Sequence, residues 1–136
     1  MIFISLCNIK INLKLDPNSG KKNLFNKLSK AQALKKVLNE NFSRKTVSFY
    51  KYVIIESPQE LRDQLYENWQ KLNVLGRVYL SFEGINAQIS VPEEKYDDFT
   101  DHIKSIDYFK DIVFKKAIEE RKESFFKLII KVRKKI

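Results

Sequence analysis

From 74 to 91 the chain reads V-L-G-R-V-Y-L-S-F-E-G-I-N-A-Q-I-S-V, two alternating runs around the turn Glu83-Gly84-Ile85-Asn86. A period of two marks a half-buried strand, and two such runs about a short Gly-containing turn predict a β-hairpin. On the outgoing run Val78, Leu80 and Phe82 share the face expected to be core, with Arg77, Tyr79 and Ser81 opposite. On the return Ala87, Ile89 and Val91 are expected inward, and Asn86, Gln88 and Ser90 outward. The outward face is therefore polar and aromatic with one cation, which marks a contact surface and contains no catalytic constellation.

Similar patterns flank the hairpin. Residues 46–55 are rich in β-branched and aromatic side chains and predict a first strand. Ser57-Pro58-Gln59-Glu60 has capping-box spacing, with proline at the first helical position, where a missing N–H costs nothing. Leu61, Leu65, Trp69 and Leu72 then form the stripe of a helix ending near Asn73. Pro92 opens a second helix whose acidic first turns (Glu93, Glu94, Asp97, Asp98) suit the helix dipole, with Tyr96, Phe99, Ile103 and Ile106 as its apolar face. A fourth strand is predicted over 113–118, a polar turn over 119–124 and a long fifth strand over 125–136.

Upstream, Ser29-Lys30-Ala31-Gln32 is another capping box, starting a helix over about 29–42 with Leu34, Val37, Leu38 and Phe42 at helical spacing. Ile9, Ile11, Leu13 and Leu15 alternate with polar residues as an edge strand or a flexible arm, before the turn formers Asp16-Pro17-Asn18-Ser19-Gly20. The order predicts an α+β, ferredoxin-like (acylphosphatase-like) βαββαβ sandwich with an extra strand, both helices on one sheet face. The expected division is a basic arm over 1–28, a short helix and linker over 29–45, and the sandwich over 46–136.

Charge sharpens the picture. The net +9 is uneven: residues 1–45 carry ten Lys/Arg against two acids, 46–110 seven against eleven, and 111–136 nine against four. Basic ends on an acidic middle fit a polyanion, nucleic acid ahead of membrane, or else simple solubilisation by lysine. The 136 residues, 43% of them hydrophobic, are enough for a real core. No apolar run approaches the roughly 20 residues that span a bilayer. The apolar 1–6 lacks a basic n-region and a small-residue cleavage site, so a signal peptide is not expected. One cysteine, Cys7, excludes an intramolecular disulfide and fits a reducing compartment; the cytoplasm is the expected location.

In the fifth strand Phe126, Leu128, Ile130 and Val132 share one side, and Phe125, Lys127, Ile129, Lys131, Arg133 and Lys135 the other. Cations interspersed with apolar groups suit phosphates and stacked bases. With Arg77 and Tyr79, and Tyr50 or Lys51 from the first strand, they make a face comparable to RNA-binding βαββαβ modules. Lysine stems lying over apolar groups at an interdomain surface would give the same pattern.

No catalytic residue, metal set or cofactor is expected. Cys7 has no basic or Gly-rich surroundings to lower its pKa. His102, the only histidine, falls on the polar side of an acidic helix and is expected to be solvated. No His/Cys cluster has metal-ligand spacing, and three glycines are too few for a phosphate-binding loop. Acylphosphatases hold phosphate with an arginine in a Gly-rich loop after the first strand. Here that connection is Ile55-Glu56-Ser57-Pro58, with neither residue type, so such a site is not expected.

The strand V-S-F-Y-K-Y (47–52, with Tyr50), the block G-R-V-Y-L (76–80), E-G-I-N-A-Q-I-S-V-P (83–92, with Glu83, Gly84, Asn86 and Gln88) and the ending K-V-R-K-K-I (131–136) occur in this order. In them the chain resembles the N-terminal domain of the rhodanese-containing tRNA uridine hydroxylases. The resemblance implies a cytoplasmic protein that hydroxylates carbon five of the wobble uridine with molecular oxygen. In that family a rhodanese-like domain with a cysteine in its active loop follows. This sequence has no cysteine after Cys7, so activity is not expected of these residues alone. Two roles stay open: binding and positioning tRNA, or packing on a rhodanese-like domain in cis or in trans without touching nucleic acid.

Overall fold

The computed structural model describes residues 24–116 and 125–135. Cys7, the alternation over 9–15 and the turn over 119–124 lie outside them. A first helix, α1 (Lys30–Leu38), precedes strand β1 (Arg44–Tyr52), helix α2 (Pro58–Lys71), and the hairpin of β2 (Leu75–Ser81) and β3 (Gly84–Pro92). Helix α3 (Tyr96–Ser105) and strands β4 (Lys115–Lys116) and β5 (Leu128–Val132) follow. The sheet order is β4-β1-β3-β2-β5. Its first four strands are antiparallel neighbours, and β5 is added parallel to β2. This is the predicted ferredoxin-like sandwich with its extra strand.

One core cluster contains Val47, Phe49, Val78, Leu80, Ala87 and Ile89 from the sheet, Leu61, Leu65 and Trp69 from α2, and Phe99 and Ile103 from α3. Both helices therefore cover the same sheet face. The Trp69 and Phe99 rings, 5.1 Å apart, join them at the centre. Truncating a buried aromatic of this kind costs about 3–5 kcal/mol.

Several boundaries differ from those read in the sequence, each for a local reason. The α1 capping box forms: Gln32 N–H donates to Ser29 Oγ at 3.2 Å, and Ser29 N–H to Gln32 Oε1 at 3.0 Å. The helix nevertheless stops at Leu38, buries Ala33 and Val37, and leaves Leu38 exposed. At α2 Pro58 does occupy the first turn, but Ser57 makes no side-chain cap. Its ψ is 79°, whereas the functioning cap Ser29 has ψ 164°. Asn73, with φ 59°, ends α2 in the left-handed region, and Val74 N–H closes back on Trp69 O at 3.0 Å.

The hairpin turn comes earlier than predicted. Ser81 pairs with Gly84, so Phe82 and Glu83 form a two-residue loop. Phe82, expected in the core, is 61% exposed, while Ser81 and Ser90, expected outward, are buried. Ser81 Oγ accepts Glu83 N–H at 3.0 Å and so serves the turn. The described part of β4 is two residues long, and β5 spans five rather than the full ending. β5 has a partner only from Gly76 to Leu80, where β2 gives way to the hairpin. Leu128, Ile130 and Val132 face the core as expected.

Two contacts hold the frame. Gly76 sits between β3 and β5 with φ 132°, and a Cβ there would lie 2.2 Å from Gln88 O. Arg44 is buried and doubly bonded to Glu40 at 2.7 and 2.6 Å, while its Nη1 donates to Asn73 O at 2.9 Å and Ser90 O at 3.2 Å. One guanidinium thus ties the α1–β1 connector to the end of α2 and to β3.

Gly76→Ala is expected to destabilise the fold by at least about 1–3 kcal/mol, from backbone strain alone. Glu40→Ala, which strands a buried guanidinium, is expected to cost about 3–5 kcal/mol. Urea-unfolding midpoints against wild type check both; unchanged midpoints would refute them.

Candidate nucleic-acid interface

With α2 and α3 on one side, alternation sends the other side chains of β1, β2, β3 and β5 to the open face. Ladder register fixes who stands beside whom. Lys115, Ser48, Gln88, Arg77 and Ile129 make one row across the sheet, and Tyr50, Asn86, Tyr79 and Lys131 the next. No carboxylate occurs among the described strand residues of this face. Arg77 and Lys131 form no ion pair, and the side-chain amides of Asn86 and Gln88 no hydrogen bond, among the described residues. The face therefore offers cations, amides and rings with unspent hydrogen-bonding capacity.

Arg133 follows β5 and donates its N–H to Leu80 O at 2.7 Å. Its guanidinium carbon lies 5.3 Å from the centre of the Tyr79 ring, a cation–π contact that keeps the charge on this face. Arg77, Tyr79, Asn86 and Gln88 surround a depression of about 140 Å³. A larger cavity of about 480 Å³ opens on the far side of Asn86 and Gln88, toward Tyr50 and Lys115. Tyr50 and Tyr52 are 63% and 68% exposed, and their rings meet edge to face at 6.2 Å.

The structure separates other residues that the sequence grouped here. Lys51 alternates with Tyr50 and points the opposite way; its ammonium bonds Tyr108 O at 2.8 Å and the Asp111 carboxylate. The hydrogen bond from Lys51 holds the Asp111 carboxyl below its usual pKa. Lys51 is thus an edge residue already paired. Lys127 precedes β5 and shares with Ile129 and Lys131 a groove of about 230 Å³ along the sheet edge, against Arg62 and Tyr66 of α2. Lys135 lies beyond β5, exposed and outside the ladder. Glu83 and Gly84 build the hairpin end, where Glu83 O accepts Val53 N–H at 3.0 Å.

Sequence reasoning missed Lys115, because the short β4 gave no clean alternation. It also missed the buried Arg62. The register bonds of Lys127 O and Arg133 N–H turn the odd β5 residues toward β2, leaving Ile130 O on the outer edge. Arg62 Nε donates to that oxygen at 3.1 Å, and so satisfies part of an exposed sheet edge. The Arg62 charge opposes, without outweighing, the burial that raises the Tyr66 pKa.

No group of three or more His, Cys, Asp or Glu that could hold a metal is present among the described residues. His102 is not solvated as expected. It is half-buried, and its Nδ1 accepts the Trp69 indole N–H at 3.1 Å. That bond requires an unprotonated Nδ1, and burial lowers the His102 pKa.

A model of the UPF0176 acylphosphatase like domain matches residues 44–136. The tRNA uridine(34) hydroxylase of Leptospira interrogans is 51% identical over 116 residues, covering 85% of this chain and 32% of that protein. The tRNA uridine(34) hydroxylase of Buchnera aphidicola is 44% identical over 115 residues, covering 84% and 37%. The chain thus spans about a third of the length of these curated relatives. Among solved structures, the dark state of the BLUF protein BlrB superposes with a TM-score of 0.50 at 13% identity, covering 68% of this chain and 74% of that one. That likeness concerns the fold alone.

Because the folded-state pKa of His102 is lowered, its neutral form is favoured by folding. Its contribution is full above the unfolded value near 6.5 and is lost as pH falls through the folded value. His102→Asn, which keeps an acceptor but cannot titrate there, is expected to lose less stability than wild type between pH 7.5 and 5. Denaturation followed by Trp69 fluorescence checks this; equal losses would refute it.

Proposed function

This chain belongs to the family of UPF0176 acylphosphatase-like N-terminal domains, and on that premise we propose that it serves a tRNA-modifying protein by binding and positioning tRNA. The chemistry, hydroxylation of the wobble uridine, belongs to the remainder of such a protein, with a rhodanese-like domain as partner in cis or in trans. The cytoplasm is the expected setting. The observation that carries this reading is the open sheet face, where Arg77, Lys131, Arg133 and Lys115 stand among tyrosines and free amides with no strand carboxylate beside them. Cations on such a face meet phosphates, and exposed rings offer stacking surface to unpaired bases. Among the described residues, no helix is long and apolar enough to cross a membrane.

A second reading has its own observation. Ile54 is 79% exposed, and Ile55 N–H bonds Phe82 O, which brings Ile54 near the exposed Phe82 and Tyr52 at the hairpin end. This apolar end suits a rhodanese-like domain, and it leaves the basic rows of the sheet available to RNA.

Affinity for tRNA across a salt series tests the proposal. Arg77→Ala and Lys131→Ala each remove one cation that would meet a phosphate. Each is expected to weaken binding and to lower the salt slope by roughly 0.7–0.9. Lys51→Ala and Lys135→Ala are expected to change it little. Wild-type binding no better than that of an unrelated basic protein, or variants that match wild type at every salt concentration, would refute the RNA role and favour docking.

A further inference from the structure

The 480 Å³ cavity beside β1 lies within the size range of small-ligand sites, and its walls are of mixed character. The exposed Tyr50 ring and Val113 supply apolar surface, Asn86 and Gln88 supply side-chain amides, Ser48 a hydroxyl, and Lys115 a single unpaired cation among the described residues. Lys115 Nζ sits 5.9 Å from the centre of the Tyr50 ring, so charge and ring share one rim. The other lysine of the cavity, Lys51, is neutralised by Asp111. A site built for a phosphate would present several free cations. This one presents a ring, a pair of amides, the mutually neutralised Lys51–Asp111 pair and one unpaired positive charge.

That combination matches a planar, uncharged group with donors and acceptors along its edge and one anion attached. We propose that the cavity takes a single unpaired nucleobase of the bound RNA. Tyr50 stacks on the base, Asn86 and Gln88 read its hydrogen-bonding edge, and Lys115 meets its phosphate. The inference rests on the RNA-binding role of the open face and deepens it. The general charge on the face comes from Arg77, Lys131 and Arg133, while base selection falls to the β1–β3 rows beside them. Asn86 and Gln88 stand on the wall between this cavity and the smaller depression at Arg77 and Tyr79. A strand crossing the sheet from β2 toward β4 would thus pass from the cationic part of the face into the pocket. An unpaired base is required, because a base stacked in a duplex cannot present both its face and its edge to one cavity.

The test uses the 136-residue chain with fluorescently labelled oligoribonucleotides of U, C, A and G, and with a duplex RNA of the same length. Wild type is expected to prefer single strands to the duplex and to rank the four oligomers unequally. Tyr50→Ala is expected to bind its best oligomer roughly 5- to 150-fold more weakly, the span for loss of one stacked base, and Tyr50→Phe to retain most of it. Asn86→Ala/Gln88→Ala is expected to bring the four affinities toward one value. Thermal melts establish that the variants fold, and all three positions are exposed. If Arg77→Ala and Lys131→Ala weaken binding while Tyr50→Ala and Asn86→Ala/Gln88→Ala leave affinity and ranking unchanged, the pocket is refuted and the RNA-binding face stands. Duplex bound as tightly as single strands also refutes the pocket. If wild type binds none of the RNAs, the pocket and the RNA-binding face fall together.

Discussion

Burial of one sheet face, and only one, is the constraint on which the rest of this structure depends. Trp69 and Phe99 meet over the sheet and draw α2 and α3 to the same side, where Val47, Phe49, Val78, Leu80, Ala87 and Ile89 supply the floor. Strand side chains alternate, so each residue that enters this layer assigns its neighbours to the other face. The open face is therefore a necessary counterpart of the core. Its polar composition lets a sheet covered on one side remain stable in water.

The sheet keeps its register through a few close contacts. Gly76 lets β2 approach β3 where any side chain would meet Gln88 O, and its N–H also receives β5 through Lys127 O at 2.8 Å. That one position fixes the alignment of three strands, and with it the rows that place Arg77 beside Gln88 and Tyr79 beside Asn86. Arg44 secures the same end of the sheet, next to Gly76, through four hydrogen bonds, and Arg62 secures the outer edge of β5. These buried guanidiniums are committed to carbonyls and carboxylates, whereas Arg77 and Lys131 of the open face form no ion pair among the described residues.

The described residues place neither a metal-binding cluster nor a titratable group poised for proton transfer at the open face: His102 is occupied with Trp69 on the helical side, and Lys51 with Asp111 at the edge. What the face does offer is position. Its rows hold cations and hydrogen-bonding groups on strands, at spacings set by the ladder. The exposed Ile54 and Phe82 lie at the hairpin end, outside the rows of Arg77 and Lys131.

The sequence by itself determined the elements whose pattern is local. The period-two runs of the hairpin, the α2 stripe of Leu61, Leu65 and Trp69, the Ser29–Gln32 box and the βαββαβ order were all legible, because side-chain direction depends only on backbone period. The inward and outward sets of β3 at Ala87, Ile89, Asn86 and Gln88 were legible for the same reason. Tertiary structure decided whatever depended on a partner far along the chain. Phe82 left the core because pairing of Ser81 with Gly84 placed it in the loop, and β5 ended where β2 had no more backbone to offer. Lys51 left the candidate face because it found Asp111, while Lys115 joined it through pairing with Ser48. Arg44 and Arg62 could be counted in the sequence as positive charge; only the fold, by surrounding them with carbonyls and carboxylates, made them structural rather than available.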